Sequence, residues 1–458
     1  MTPILRACVN SQTPFIKFNL TYSELLDKYG SLPDPVDLND LEEGVDYDLS
    51  PGGVTAMIYP LLKRMLNQHT LSKVHWVSLG VKYPPKVRVG DILVSHLEVP
   101  DGVLRSYTIF KENLWSQIHG LSSTANIFDS SYEGYARFNW INADSMLEFW
   151  NDTDIFYVQD FQLLSTGGLI GPPAPAIVRW HVPFVPETLP FLTRRAIVKW
   201  IEDFDGVIVS TRRDLEGLIR VGYRGRAHQI YPFLDPEEWK TSPSKESIDH
   251  IREKMRLKSD ERLLLMVARM DKIKSHDVAI KALSLLKGNN KPKVKLALIG
   301  NGSFSSSRKG GLGHGKASRW KAELESLVRN LHLEESVSFL GHASTEEIKA
   351  AYSISSAVLL TSALEGFGIS VLEGWINKKP VVVSKGAGSS ELVVNGSNGY
   401  TFSPSNYIEA SEAILRALGP GSEKIGENGF ETCRQCYIDN ALQREKSVFD
   451  EAVNIYKK

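Results

Sequence analysis

Apolar positions fall into two regimes along the chain. Beyond residue 260, short runs that are apolar almost throughout occupy 262–267, 294–299, 336–340, 357–361 and 380–384. Between them, at 275–287, 319–332, 345–353 and 368–377, apolar residues recur with helical spacing. Strands without a polar face are buried on both sides, and strands alternating with helices make a parallel sheet wound on both faces. The first half shows the same alternation less regularly. Strands are expected at 4–9, 74–79, 91–96, 104–110, 154–158, 176–181, 206–210 and 227–231, and helices at 54–66, 132–150, 188–202 and 212–221. Pro60 should kink the helix over 54–66 or mark its start. The acidic, turn-rich stretch 34–48 reads as a surface loop, and 232–244, with Pro232, Pro236 and Pro243 around Trp239, as a linker. The expectation is an α/β chain of two Rossmann-like, doubly wound domains, 1–235 and 245–420, their strand ends facing a cleft. A helical segment, 421–458, is expected to pack back on the first domain.

Composition narrows the function classes. The 458 residues are 42% hydrophobic and 23% charged, an ordinary globular balance, and the formal net charge of −1 lacks the basic signature of a nucleic-acid binder. No apolar run approaches the roughly 20 residues that cross a bilayer. The N-terminus lacks the apolar segment of a signal peptide. Three cysteines in so long a chain fit a reducing compartment, so a cytoplasmic location is expected. Cys433 and Cys436 form a lone pair without the second pair of a zinc site, and read as ordinary helix residues.

Candidate chemistry gathers at strand ends. Glu365 and Glu373 flank Gly366, Phe367 and Gly368, a glycine turn between the strand at 357–361 and the helix at 368–377. At such a turn, free backbone N–H groups and the positive end of a helix dipole favour a phosphate. The carboxylate pair alone would also suit glycosidase chemistry. Beside a phosphate-type turn a nucleotide-sugar site fits better, Glu373 serving ribose hydroxyls and Glu365 sugar hydroxyls. Arg269 and Lys274, five apart after the strand at 262–267, can clamp a diphosphate. In the first half, Asp160 and His181 sit at strand ends, where open α/β sheets bind ligands. Gly53 opens the helix over 54–66 and allows a ligand close to the backbone, although a plain turn explains it equally. Trp115 and Tyr107 suit an aromatic wall for a sugar, or the core. A Gly/Ser-rich stretch, 303–318, carries Arg308, Lys309 and Lys316 and reads as a surface loop able to close over an anion. Its P-loop-like Gly310, Gly315 and Lys316 are followed by Ala317 rather than a hydroxyl residue, which rules that motif out.

These residues carry a family resemblance. The second half resembles the donor domain of retaining GT-B glycosyltransferases, through the Arg269/Lys274 pair and the Glu365/Glu373 element, over roughly 260–405. The first half resembles the trehalose-6-phosphate synthases over roughly 104–220. It does so through Asn113 to Trp115 with His119, Tyr132 to Asn139, Tyr157 to Leu164 and His181 to Pro186. The resemblance implies retaining transfer of glucose from a nucleotide-glucose donor to a sugar phosphate, glucose 6-phosphate giving trehalose 6-phosphate. It implies Gly53, Arg269, Lys274 and the backbone of Gly368 and Ile369 on the diphosphate, and Glu373 on the ribose. Glu365 and His181 would hold donor-sugar hydroxyls, and Asp160 and Trp115 the acceptor. No cofactor and no metal are expected, the nucleotide sugar being a substrate. Neither a nucleic acid nor an integral membrane segment is expected, and a homo-oligomer is compatible with the reading.

The chain departs from that family at named positions. The stretch from Val9 to Thr13 lacks the arginine that binds the acceptor phosphate; Glu365 stands for an aspartate, Gly368 for an asparagine, and Gln159 and Gln162 for histidines. These bear on the acceptor more than on the donor. Free glucose, glycerate, glycerol phosphate or a lipid as acceptor remain alternatives, as does a sugar-nucleotide-binding regulatory subunit without catalysis. A hydrolase acting through Glu365 and Glu373 is the last of them.

Overall fold

The computed structural model describes residues 4–49, 52–122, 126–288, 291–300 and 312–456. They form two compact units, Met1–Tyr231 with Ala441–Lys458, and Pro232–Asn440. Among the described residues no helix is long and apolar enough to cross a membrane.

The first unit contains β1 (Leu5–Ser11), β2 (Ile16–Phe18), β3 (Val36–Asp37), β4 (Tyr47–Leu49), β5 (Leu71–Leu79) and β6 (Lys86–Val89). These are followed by β7 (Ile92–Leu97), β8 (Ile155–Gln159), β9 (Ala176–Trp180), β10 (Gly206–Val209) and β11 (Ala227–Gln229). Nine of them form one sheet in the order β11–β10–β9–β8–β1–β5–β7–β6–β3. From β11 to β7 every pairing is parallel, and β6 runs antiparallel to β7. β2 and β4 pair separately, so part of the expected surface loop at 34–48 is short strand instead. The order reverses between β1 and β8, which puts crossover helices on both faces.

The second unit is the more regular. β12 (Arg262–Val267), β13 (Val294–Ile299), β14 (Val337–Gly341), β15 (Ala357–Leu360), β16 (Val381–Ser384) and β17 (Gly399–Phe402) form an all-parallel sheet. Its order is β14–β13–β12–β15–β16–β17, with the reversal between β12 and β15. β15 and β16 are buried at every position, as their unbroken apolar runs require.

Several elements differ from expectation. Residues 104–110 are not a strand but lie in the helix Asp101–Ile118. Its buried Tyr107, Phe110, Leu114, Gln117 and Ile118 recur at helical spacing and pack on the helix Ser131–Leu147. The helix Thr55–Asn67 runs through Pro60. The helix expected at 319–332 begins at Leu312. It therefore absorbs the end of the Gly/Ser stretch, while Arg308 and Lys309 lie outside the described residues. β17 and the helix Tyr407–Ala417 carried no clear sequence signal.

The C-terminal segment divides later than expected. The helix Ser422–Cys433 belongs to the second unit: Cys433 Sγ lies 3.6 Å from the Leu372 carbonyl, and Asn398 donates to Thr432 Oγ1 at 3.0 Å. Only from Ala441 does the chain rejoin the first unit. There, on the helix Ile438–Tyr456, fully buried Glu445 pairs with Arg179 of β9 and accepts the Tyr157 hydroxyl of β8 at 2.7 Å.

Candidate functional site

In open parallel sheets, ligands bind beyond the carboxyl ends of the strands where the order reverses. In the second unit that point lies between β12 and β15, and the expected donor residues follow those two strands. After β12, half-buried Arg269 leads into a short 3-10 turn, Lys272–Lys274, capped by the Asp271 side chain, which accepts from Ile273 N. Thr361, at the end of β15, donates to the Lys274 and Ser275 carbonyls at 2.9 Å, tying the turn to the neighbouring strand. Lys274 Nζ then forms an ion pair with Glu365 Oε1, and Ser362 Oγ donates to Glu365 Oε2 at 2.5 Å. Lys274 and Glu365, expected on diphosphate and sugar respectively, are thus in direct contact. The Arg269 guanidinium makes no hydrogen bond or close ion pair among the described residues, and its charge acts on Glu365 from further off.

The glycine turn is held from behind. Phe367 is buried, whereas Ile369 is exposed at the start of the helix Ser370–Ile376. Gly368 has φ +95°, and a Cβ there would lie 2.2 Å from Leu360 Cδ2, so a side chain would strain the backbone and push the Leu360 side chain aside. The amides of Gly368 and Ile369 have no acceptor among the described residues. The loop after β16 supports the turn: Glu365 N donates to Gly386 O at 3.0 Å, and Ser389 N donates to Phe367 O at 2.9 Å. Ser389 Oγ is buried without a partner among the described residues. This loop was missed in the sequence, although Gly386, Gly388, Ser389 and Ser390 at a strand's carboxyl end were its signal. Glu373, on the helix, accepts the Tyr352 hydroxyl at 2.6 Å.

The first unit's reversal point lies between β1 and β8, and Asp160 directly follows β8. Its φ of +70° is unusual for a residue with a side chain, the kind of conformation that surrounding structure must enforce. Asp160 N donates to Arg179 O at 2.8 Å, and Asp160 Oδ1 accepts from His181 N at 3.1 Å. The His181 ring meets Gln159 Oε1 through Nε2 at 3.0 Å. Asp160 and His181, expected as separate strand-end groups, therefore form one cluster with Gln159. Gly53 is exposed just ahead of the helix Thr55–Asn67, with nothing near its missing Cβ. Trp115 is half-buried, its ring 4.4 Å from that of His119. Tyr107 is corrected: it is fully buried and stacks on Phe138 at 3.8 Å, so it is core rather than a wall for a sugar.

Residues 247–432 match the family described as "Glycosyl transferases group 1". The solved α,α-trehalose-phosphate synthase (UDP-forming) of Burkholderia xenovorans, in complex with glucose-6-phosphate, aligns with a TM-score of 0.74 at 15% identity, covering 97% of this chain and 99% of that one. The chain therefore has a GT-B fold. HepE of Anabaena, solved with UDP and glucose, aligns with a TM-score of 0.66 at 17% identity, over 98% of this chain and 100% of that one. An uncharacterized glycosyltransferase of Methanocaldococcus jannaschii is 28% identical over 50% of this chain and 53% of its own length. The chain spans about half the length of the curated relatives it matches.

Electrostatics distinguish the carboxylates of the two reversal points. Burial pushes the Glu365 carboxyl up, but the Lys274 ammonium, the Ser362 hydroxyl and the Arg269 charge outweigh it and hold it below the usual range. Burial raises Glu373, only partly offset by the Tyr352 hydroxyl. Asp160 is pushed up to about 6 by burial, against backbone N–H groups of His181, Phe161 and Val182 and the Gln162 side chain. Burial, and then the Arg179 charge, hold His181 well below the ordinary histidine range and so keep it neutral.

Proposed function

We propose that the chain is a retaining glucosyltransferase that moves glucose from a nucleotide-glucose donor to glucose 6-phosphate, forming trehalose 6-phosphate. The observation that carries this reading is the Lys274–Glu365 ion pair, the Arg269 guanidinium whose charge reaches it, and the Gly368 and Ile369 amides, which find no acceptor among the described residues, all at the reversal point of the second sheet. Two cations and two amides suit a diphosphate whose charge grows as the glycosidic bond breaks. Glu365, kept ionised by Lys274, suits a sugar hydroxyl, and Glu373 suits the ribose diol. His181 is assigned to the donor sugar, and Asp160 and Trp115 to the acceptor. Gly53 is assigned to the diphosphate.

In the reaction, the acceptor hydroxyl oxygen bonds to the anomeric carbon on the face from which the diphosphate leaves. The breaking bond's electron pair goes to the diphosphate oxygen, and that oxygen takes the hydroxyl proton. No enzymic nucleophile and no metal enter this proposal. The free, buried Cys8, Cys433 and Cys436 support a reducing, cytoplasmic setting. Free glucose is the second reading for the acceptor, favoured by the absence of an arginine between Val9 and Thr13 and by the glucose and UDP bound to HepE. A matrix of nucleotide-glucose donors against glucose 6-phosphate, glucose, glycerate and glycerol phosphate, read by nucleoside diphosphate release, tests both. Release with glucose 6-phosphate supports the proposal; release only with another acceptor overturns its acceptor. No release with any pair overturns the enzyme reading in favour of a binding subunit.

A further inference from the structure

Gln159 and Asp160 are adjacent, yet both side chains engage His181, one at its ring and the other at its backbone. In a regular strand, consecutive side chains point to opposite faces. The positive φ of Asp160 ends that alternation where β8 stops, so the dipeptide can hold one residue from two sides. Gln159 is almost fully buried, at 1% exposure, and its side-chain amide acts on the Tyr157 hydroxyl, whose proton goes to Glu445. Towards Gln159 that hydroxyl can only accept, which assigns it the amide nitrogen and leaves the amide oxygen to His181.

An amide oxygen carries no proton, so a hydrogen bond between it and His181 Nε2 requires the proton on Nε2. The ring is neutral, since burial and the Arg179 charge disfavour the imidazolium. Nδ1 then keeps its lone pair and can only accept. The charged groups around the ring fit this state: Arg179, on the strand that leads into His181, repels a second proton, its own charge being matched by Glu445 of the C-terminal helix. The Asp160 carboxylate is turned to the His181 backbone instead of the ring.

We propose that Gln159 is a positioning residue: it locks His181 as the Nε2–H tautomer and presents Nδ1 as an acceptor for a sugar hydroxyl of the donor. This rests on the donor-side role assigned to His181 above. A hydroxyl that donates to Nδ1 has its oxygen lone pairs left for a neighbouring donor group, so the site would select a hydroxyl over an ether or a deoxy position at that carbon.

The test uses the full chain with 15N-labelled histidine, the His181→Asn variant identifying the His181 signals among the 11 histidines. Long-range 1H–15N correlation spectra report the tautomer directly. In the unmodified chain, His181 is expected to stay neutral with its proton on Nε2 across about pH 5.5–8. Gln159→Leu is expected to lose the single tautomer and to raise the donor KM at least tenfold, with a smaller change in kcat. Gln159→Glu, whose carboxylate favours the imidazolium, is expected to bring His181 titration into that pH range. An Nδ1–H tautomer in the unmodified chain, or an unchanged tautomer in Gln159→Leu, overturns the proposal. The tautomer of the unmodified chain is read without any transfer assay. An Nε2–H ring in a chain that transfers nothing would leave this inference standing and overturn the functional reading alone.

Discussion

Lys274 and Glu365 meet as an ion pair beyond the carboxyl ends of β12 and β15, the two strands between which the second sheet reverses its order. Both side chains are mostly buried, at 12% and 15% exposure, and Ser362 completes the carboxylate's shell. Removing one partner of such a pair strands the other charge, at a cost of about 3–5 kcal/mol when burial is complete and less here. Arg269 is half-buried, makes no hydrogen bond or close ion pair among the described residues, and only adds its charge to that of Lys274 on Glu365, so its loss costs less. Arg269→Ala and Lys274→Ala are therefore expected to abolish most transfer alike but to separate in stability. Lys274→Ala should lose about 2 kcal/mol in urea unfolding, and Arg269→Ala less than about 0.5. Near-unmodified transfer rates in both variants would reject the diphosphate clamp.

Gly368 supports a second expectation. A methyl group there collides with Leu360 Cδ2 while the backbone holds φ at +95°. The expected effect of Gly368→Ala is a loss of about 2 kcal/mol from strain and repacking, together with a rise in donor KM as the turn shifts away from the diphosphate. Thermal melting and donor titration on the same preparation measure both. A variant with unchanged melting temperature and unchanged KM would show that the turn tolerates a side chain and does not contact the donor.

The regular half of the fold was legible because its strands are buried on both faces. Burial on both faces leaves an unbroken apolar run such as 357–361, a pattern that neither a surface helix nor a half-exposed strand produces. Strand ends then located Arg269, Lys274 and Glu365. Their direct pairing was not legible, since 91 residues separate Lys274 from Glu365 and only the β12–β15 adjacency joins them. Residues 104–110 failed for another reason. Leu104, Tyr107, Ile109 and Phe110 are dense enough to suit either period, and the partner helix Ser131–Leu147 decides between them. That choice also moved Tyr107 from a sugar wall into the core. Glu445 looked like any charge on an amphipathic tail, because nothing local marks it as the partner of Arg179, 266 residues away.

Asp160 gives a pH dependence of defined sign. Its folded pKa, raised to about 6 by burial, exceeds the unfolded value of about 3.9. The native state thus holds a proton that the unfolded chain has released, and stability falls as pH rises between those values. The ionised carboxylate costs about 3 kcal/mol above pH 6 and nothing below about pH 4. Asp160→Asn should retain the acceptor for His181 N, remove that cost and lose transfer. Its melting temperature is expected to exceed that of the unmodified chain at pH 8 and to match it at pH 4. A difference independent of pH would contradict a raised Asp160.

The C-terminal helix supplies the last prediction. Glu445 and Arg179 are both fully buried, and Glu445 also accepts the Tyr157 hydroxyl at 2.7 Å. One carboxylate thus holds both strands that lead to the Asp160–His181 cluster, since Tyr157 lies on β8 and Arg179 on β9. Truncation to alanine leaves a buried guanidinium without its counter-ion and should cost about 3–5 kcal/mol. Glu445→Gln keeps the shape and a hydrogen bond to Tyr157, and its loss isolates the charge. In both variants hydrogen exchange should accelerate at the amides of β8 and β9, which share the first unit with the helix from Ala441 onward. The β12–β17 sheet, in the other unit, should keep its protection. Uniform acceleration across both sheets would mean that Glu445 acts on global stability, and no acceleration in either would mean that the pair contributes little to holding those strands.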